Sequence, residues 1–180
     1  MACELTAGFQ LDCKDTIGGI KAIYLQQHSL FLTGVQLSAI TEEVNSLPDE
    51  NVYKYICPKH TGSFSEEVAS SVENGTIYYT QTVTATFFKL TAARRKQLEL
   101  VAKNRLVVFV QDNNDNIWMV GKADGAEVTA MTTATGVAKG DLNGYTITFV
   151  AEEAHKAYRL ESFTDFPFDN FDVTVVNPTI

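Results

Sequence analysis

Polar and apolar side chains alternate most clearly along Thr76–Leu90, which reads T-I-Y-Y-T-Q-T-V-T-A-T-F-F-K-L. Threonine holds every second position from Thr80 to Thr86, and the other parity carries Ile77, Tyr79, Val83, Ala85 and Phe87. A period of two is that of a β-strand with two unlike faces. At about 3.3 Å per residue the run would reach about 50 Å, well beyond an ordinary strand. A strand of that length suits a sheet that crosses a subunit and continues into a neighbour. Threonine favours strands, and its hydroxyl can line a wet surface without holding phosphate. Thr80, Thr82, Thr84 and Thr86 are therefore candidates for an assembly surface.

The remaining pattern is also mostly that of strands. Met1–Ile17 reads as a polar arm that ends at the turn signal Gly18-Gly19. Strands are expected at 20–25, 35–40, 52–57 and 63–71, with an acidic polar loop at 41–51. Asn74-Gly75 is the strongest hairpin signal and introduces the threonine strand. Thr91 has the character of an N-cap, followed by helix formers through Lys103. Leu98, Val101 and Ala102 share one face of that helix, and Asn104 is expected to end it in a left-handed conformation. The continuous apolar run Leu106–Val110 reads as a central strand. The Asp/Asn turn at 112–116 leads to a returning strand at 117–120, and two more are expected at 126–135 and 144–151.

Residues 161–180 stand apart. Phe163, Phe166, Phe168 and Phe171 are interspersed with Glu161, Asp165, Asp169 and Asp172, and the segment has no Lys or Arg. Four phenylalanines require a place to bury. Two placements are open: a C-terminal strand of the same domain, or an arm on a neighbouring subunit. The second makes these phenylalanines interface candidates. In either case 173–176 can add as a strand to an available edge.

The fold class is thus mainly β: an antiparallel β-sandwich or barrel with one flanking α-helix and extended arms. The divisions are an N-terminal arm at 1–17, a sandwich domain at 18–160 with its helix at about 91–104, and the Phe/Asp-rich segment at 161–180.

Composition narrows the function. A length of 180 residues with 45% hydrophobic content supports a real core. The net charge of −8 argues against an electrostatic grip on nucleic acid, which requires clustered Lys and Arg. An acidic wall can instead make a passage that DNA does not adhere to. No apolar run is long enough to span a membrane as a helix, and Met1-Ala2-Cys3-Glu4 does not open a signal peptide. Cys3, Cys13 and Cys57 make an odd count, and reduced thiols are expected. Cys57-Pro58-Lys59-His60 has C-x-x-H spacing, but the paired knuckles of a zinc site are missing. Asp112, Asn114 and Asn116 echo a calcium loop, yet Ile117 stands where its Gly belongs and Ala123 where its Glu belongs. His28, His60 and His155 lie far apart in the sequence, and no nucleophile, zinc-protease or phosphate-loop motif occurs. No catalytic, cofactor or metal residue is assigned, and an enzyme is not expected.

A resemblance points the same way. Met1-Ala2-Cys3, Cys13-Lys14-Asp15 and Gly18-Gly19-Ile20-Lys21-Ala22-Ile23-Tyr24 resemble the start of structural proteins of tailed phages. Asn74-Gly75, the Thr-rich strand, the short helix and Val107–Val110 before the Asp/Asn turn follow in the order found in phage tail tube proteins. Gly121, Gly125-Ala126-Glu127 and Gly140-Asp141-Leu142-Asn143-Gly144-Tyr145 continue it. The similarity covers about residues 1–153 and leaves out the Phe-rich tail. It implies a virion protein whose β-sandwich stacks as hexameric rings around a channel for DNA. Its partners would be itself and other tail proteins, with DNA only in transit and no membrane. Two other readings stay open: a head-to-tail connector or neck ring subunit, and a metal- or ligand-binding β-module.

Overall fold

The computed structural model describes residues 7–28 and 34–179. Two sheets face each other. The larger is six-stranded and is built on β1 (Ile20–Gln27) and β7 (Leu106–Asp112), which pair antiparallel at its centre. Both are buried on both faces, and Val107 to Val110 have no exposed surface. That is why their sequences read as continuous apolar runs. Ile23, Leu25, Val108 and Val110 point to the second sheet. Ala22, Tyr24, Val107 and Phe109 point away from it, into a second apolar cluster.

Element β4 (Asn51–Ile56) pairs with the far side of β1, and β8 (Ile117–Val120) pairs with β7. Two short strands complete the edges. β11 (Tyr158–Arg159) joins β8, and β12 (Thr174–Val176) joins β4 in parallel. The C-terminal run thus adds as a strand to an available edge, as its pattern suggests.

The second sheet has four strands in the order β5 (Gly62–Ser71), β6 (Thr76–Phe88), β10 (Gly144–Glu153), β9 (Glu127–Ala134). Val83, Ala85, Ile147, Phe149 and Ala151 face the core. Gly75 has φ of +63°, the left-handed turn geometry that lets β5 return as β6. At Gly144 a Cβ would lie 2.2 Å from the Phe87 carbonyl oxygen, so only glycine lets β10 start against the end of β6.

Helix α1 (Ala92–Lys103) carries the chain from one sheet to the other. The Thr91 side chain caps it by accepting from the Arg94 amide at 3.2 Å. Leu98 and Val101 enter the core, whereas Ala102 is exposed. The helix does not end in a left-handed residue. Asn104 is extended, with φ −106° and ψ 148°, and its side-chain amide donates to the Leu100 carbonyl at 2.7 Å, which supplies the closing hydrogen bond another way.

Two expectations between β1 and β4 change. The strand expected at 35–40 shrinks to β2 (Gln36–Leu37), because the chain turns at Ser38–Glu43 with Glu42 in a left-handed conformation. The loop expected at 41–51 contains β3 (Val44–Ser46), whose Val44 is fully buried in the second cluster. Of the expected N-terminal arm, residues 7–17 contain no helix or strand and are exposed.

Candidate functional site

The threonine rows lie on the outer face of the four-stranded sheet. Gln81, Val83 and Ala85 are buried, so Thr80, Thr82, Thr84 and Thr86 point outward and are half-exposed. The register aligns them with like neighbours. Ser63, Thr84, Thr148 and Ala130 form one row across the sheet, and Thr86, Thr146 and Thr132 form the next. Hydroxyls meet across the strands, at 3.1 Å for Thr86 and Thr146 and 3.4 Å for Thr84 and Thr148. Toward the other end, Ser65 and Thr82 lead to Val150, and Glu67 and Thr80 to Glu152.

All fourteen Lys and Arg lie outside these four strands, while Glu66, Glu67, Glu127, Glu152 and Glu153 lie within them. Beside the sheet, Arg105 reaches Glu127 at 3.4 Å, and Lys156 lies 5.9 Å from the Tyr79 ring centre. The face is therefore hydroxyl-rich and acidic at one end. Its four strands carry no Lys or Arg of their own.

Both edges of this sheet are open among the described residues. β5 pairs only with β6, and β9 only with β10. The β5–β6 hairpin also outruns its neighbour. β10 stops with Glu153 opposite Tyr79, and Ala69–Tyr78 continue as a two-stranded ribbon.

A polar network closes the sandwich at the base of that ribbon. Gln81, the one polar residue on the inward parity of β6, accepts from the Gly121 amide at 3.1 Å. Its amide donates to Glu66 and to the His155 carbonyl, both at 3.2 Å. Buried Glu153 accepts from the amides of Ala123 at 2.9 Å and Asp124 at 3.0 Å. Burial raises the Glu153 pKa, and the two amides only partly offset it. The sequence reading passed over these three residues. The visible signal was Gln81, a polar side chain in an apolar series.

The phenylalanine segment is placed differently from the neighbour-docking expectation. Phe168 is 2% exposed and packs edge-on against Tyr24 at 5.0 Å and Phe109 at 5.3 Å. Phe163 and Phe171 pack against the same cluster. These three dock on their own chain, because the outer face of the six-stranded sheet is apolar and needs a cover. Phe166 alone is left outward, at 74% exposure. Asp169 holds the turn by accepting from the amides of Thr164, Asp165 and Phe166, which lowers its pKa.

The other chemical candidates do not converge. Cys57 is buried and its thiol is pushed up to about 11, which opposes a thiolate ligand. Cys13 is exposed, and Cys3 lies outside the described residues. Among the described residues no three His, Cys, Asp or Glu side chains are grouped to hold a metal ion. Asp112 accepts from the amides of Asn114 and Asn116 at 2.8 and 2.9 Å, so its carboxylate is engaged in the β7–β8 turn. No helix among the described residues is long and apolar enough to cross a membrane. No family model, no curated protein and no solved structure matches the chain.

Proposed function

We propose that this protein is a structural subunit of a phage tail tube, which self-assembles through its four-stranded sheet into stacked rings around an acidic channel for DNA. The observation that carries the reading is the cation-free, Ser/Thr-rich outer face of a sheet with two open edges. Open edges are a liability in a free monomer and are removed when β9 of one copy pairs with β5 of the next. Such pairing repeats the same contact around a ring. Six four-stranded sheets would close into about 24 strands; at about 4.8 Å between strands and a tilt of about 40°, the cylinder is about 45–50 Å across. That leaves room for a DNA duplex after side chains are counted.

The chemistry of the face suits passage. Binding to DNA is dominated by Lys and Arg that displace counterions, and a wall without them gives sliding DNA no sequence-independent hold. Hydroxyl rows stay hydrated, and the glutamates repel phosphate. The protein acts here as a conduit, with no reaction of its own and no bound cofactor. In the virion its contacts would be other copies of itself and the tail proteins that begin and end the tube.

Electron microscopy of the purified protein is the test. Rings that stack into hollow tubes are expected. Rings of fixed number that never stack would favour a neck ring, and a monomer at all concentrations would overturn the assembly reading.

A further inference from the structure

The β5–β6 hairpin leaves apolar side chains exposed at and near its tip. Val72 is 97% exposed, and Val68, Ile77 and Tyr78 are also open to solvent. Val72, Ile77 and Tyr78 belong to a ribbon with no third strand, since β10 ends opposite Tyr79, the partner of Val68 at its base. A two-stranded ribbon is marginal alone in water, and apolar residues at its tip do nothing to help its solubility.

A groove of about 480 Å³ lies at the other end of the same strand. It runs between α1, β4, the end of β6 and the chain after β12, and its walls include Tyr53, Ile56, Pro58, Phe88 and Leu98. Ile56, Phe88 and Tyr53 are each at least two-fifths exposed, so this apolar wall is uncovered. The thirteen residues of β6 separate the tip from the groove by about 40 Å at 3.3 Å per residue.

The charges are complementary. The tip carries Glu73, and there is no Lys or Arg between Gly62 and Phe88; Glu66 lies at the base of the ribbon, bonded to Gln81 and the Ala157 amide. Lys59 follows Pro58 at the groove, Lys89 follows Phe88, and both are exposed. Two surfaces of opposite sign and shared apolar character, at opposite ends of one molecule, suit a second copy of this chain. Repeated in one direction, such a contact is head-to-tail and propagates or closes a ring.

We infer that the β5–β6 hairpin tip of one copy seats in the α1–β4 groove of another, with Val72 and Ile77 against Ile56 and Phe88. This rests on the self-assembly reading above and supplies it with a contact distinct from edge pairing. Tip-to-groove seating works along the strand direction, whereas edge pairing works across it.

Two measurements test it. In full-length protein carrying Cys3→Ser and Cys13→Ser, Val72→Cys and Ile56→Cys are introduced together, and a mild oxidant is added. Buried Cys57 stays in place. A ladder of disulfide-linked oligomers is expected, with covalent dimers when the two single variants are mixed and none from Ile56→Cys alone. Val72→Asp with Ile77→Asp is expected to leave the monomer folded, since both sites are exposed. It should raise the concentration needed for assembly about a hundredfold, as expected for two apolar side chains lost from a contact. If the wild type assembles while the Val72→Cys/Ile56→Cys protein gives no ladder and the Asp variant assembles unchanged, the tip-to-groove contact is overturned and the tube reading stands. A wild type that is monomeric by sedimentation, together with a ladder from the oxidised Val72→Cys/Ile56→Cys protein, supports the contact and removes the tube. Linkage only between two Val72→Cys tips overturns the groove as the seat.

Discussion

The two sheets of this protein are made from similar residues and treat water in opposite ways. The six-stranded sheet is covered on both faces, by the four-stranded sheet on one and by β2, β3 and the phenylalanine segment on the other. Its central strands have lost all alternation. The four-stranded sheet is covered on one face only, and burial alternates along Gln81–Thr86 of β6 and Tyr145–Glu153 of β10. Solvation of one face is what leaves a surface free to act, so the covered sheet supports the fold and the half-covered sheet carries the proposed assembly. The phenylalanine segment shows the rule at work: it docks on the sheet that needed a lid and leaves the threonine face bare.

Substitutions at matched positions should separate the two. The largest effect is expected for Val83→Pro, which removes a ladder donor from β6 between its two partners and costs about 3 kcal/mol or more. Denaturant unfolding should show the loss of stability, and microscopy the loss of any assembly. Phe109→Ala in the doubly covered sheet should cost about 3–5 kcal/mol, as for a large aromatic removed from a core. Phe168→Ala should approach that figure, because the ring is seated between Tyr24 and Phe109. Phe166→Ala should stay within about 0.5 kcal/mol. Equal losses at Phe166 and Phe168 would break the claim that the segment docks on its own chain.

On the open face the expected change is in behaviour more than in stability. Thr84→Lys with Thr148→Lys should alter unfolding by less than about 1 kcal/mol. It should nevertheless introduce salt-sensitive DNA binding, read by fluorescence anisotropy at several salt concentrations, where the wild type shows none. Submicromolar, salt-sensitive binding by the wild type would contradict the conduit reading.

The smallest effect concerns Glu153. Burial raises its folded pKa above the unfolded value, so the stability it contributes is complete at low pH. That contribution is lost as pH rises from the ordinary glutamate value of about 4.3 through the higher folded value. Glu153→Gln should remove this slope, and its thermal midpoint should fall less than that of the wild type across the window. A wild-type midpoint that rises there while the variant stays flat would reverse the assigned sign.

Much of this was legible in the chain. Alternation identified β6 and its polar face, Asn74-Gly75 identified the hairpin, and Thr91 identified the start of α1. Each rests on neighbours one to four residues apart, where steric preference and side-chain direction act directly. The helix end was misread because Asn104 can close a helix either by its own backbone conformation or by its side-chain amide, and the sequence does not distinguish them. The contacts of Gln81 and Glu153 were missed because Gly121, Ala123, Asp124 and the His155 carbonyl reach them from loops distant in sequence or across the sandwich.

The sequence by itself determined which residues share a strand face and that one of those faces would be hydroxylated and free of cations. Only the tertiary structure decided which sheet that face belongs to, which edges stay open, and where the phenylalanines settle. Thr174 pairs beside Asn51, and Phe168 sits on Tyr24 and Phe109, across most of the chain. Such contacts follow from which apolar surface is left uncovered once the strands have formed. Local periodicity records that a side chain must be buried; the partner that buries it is chosen by the packing of the whole.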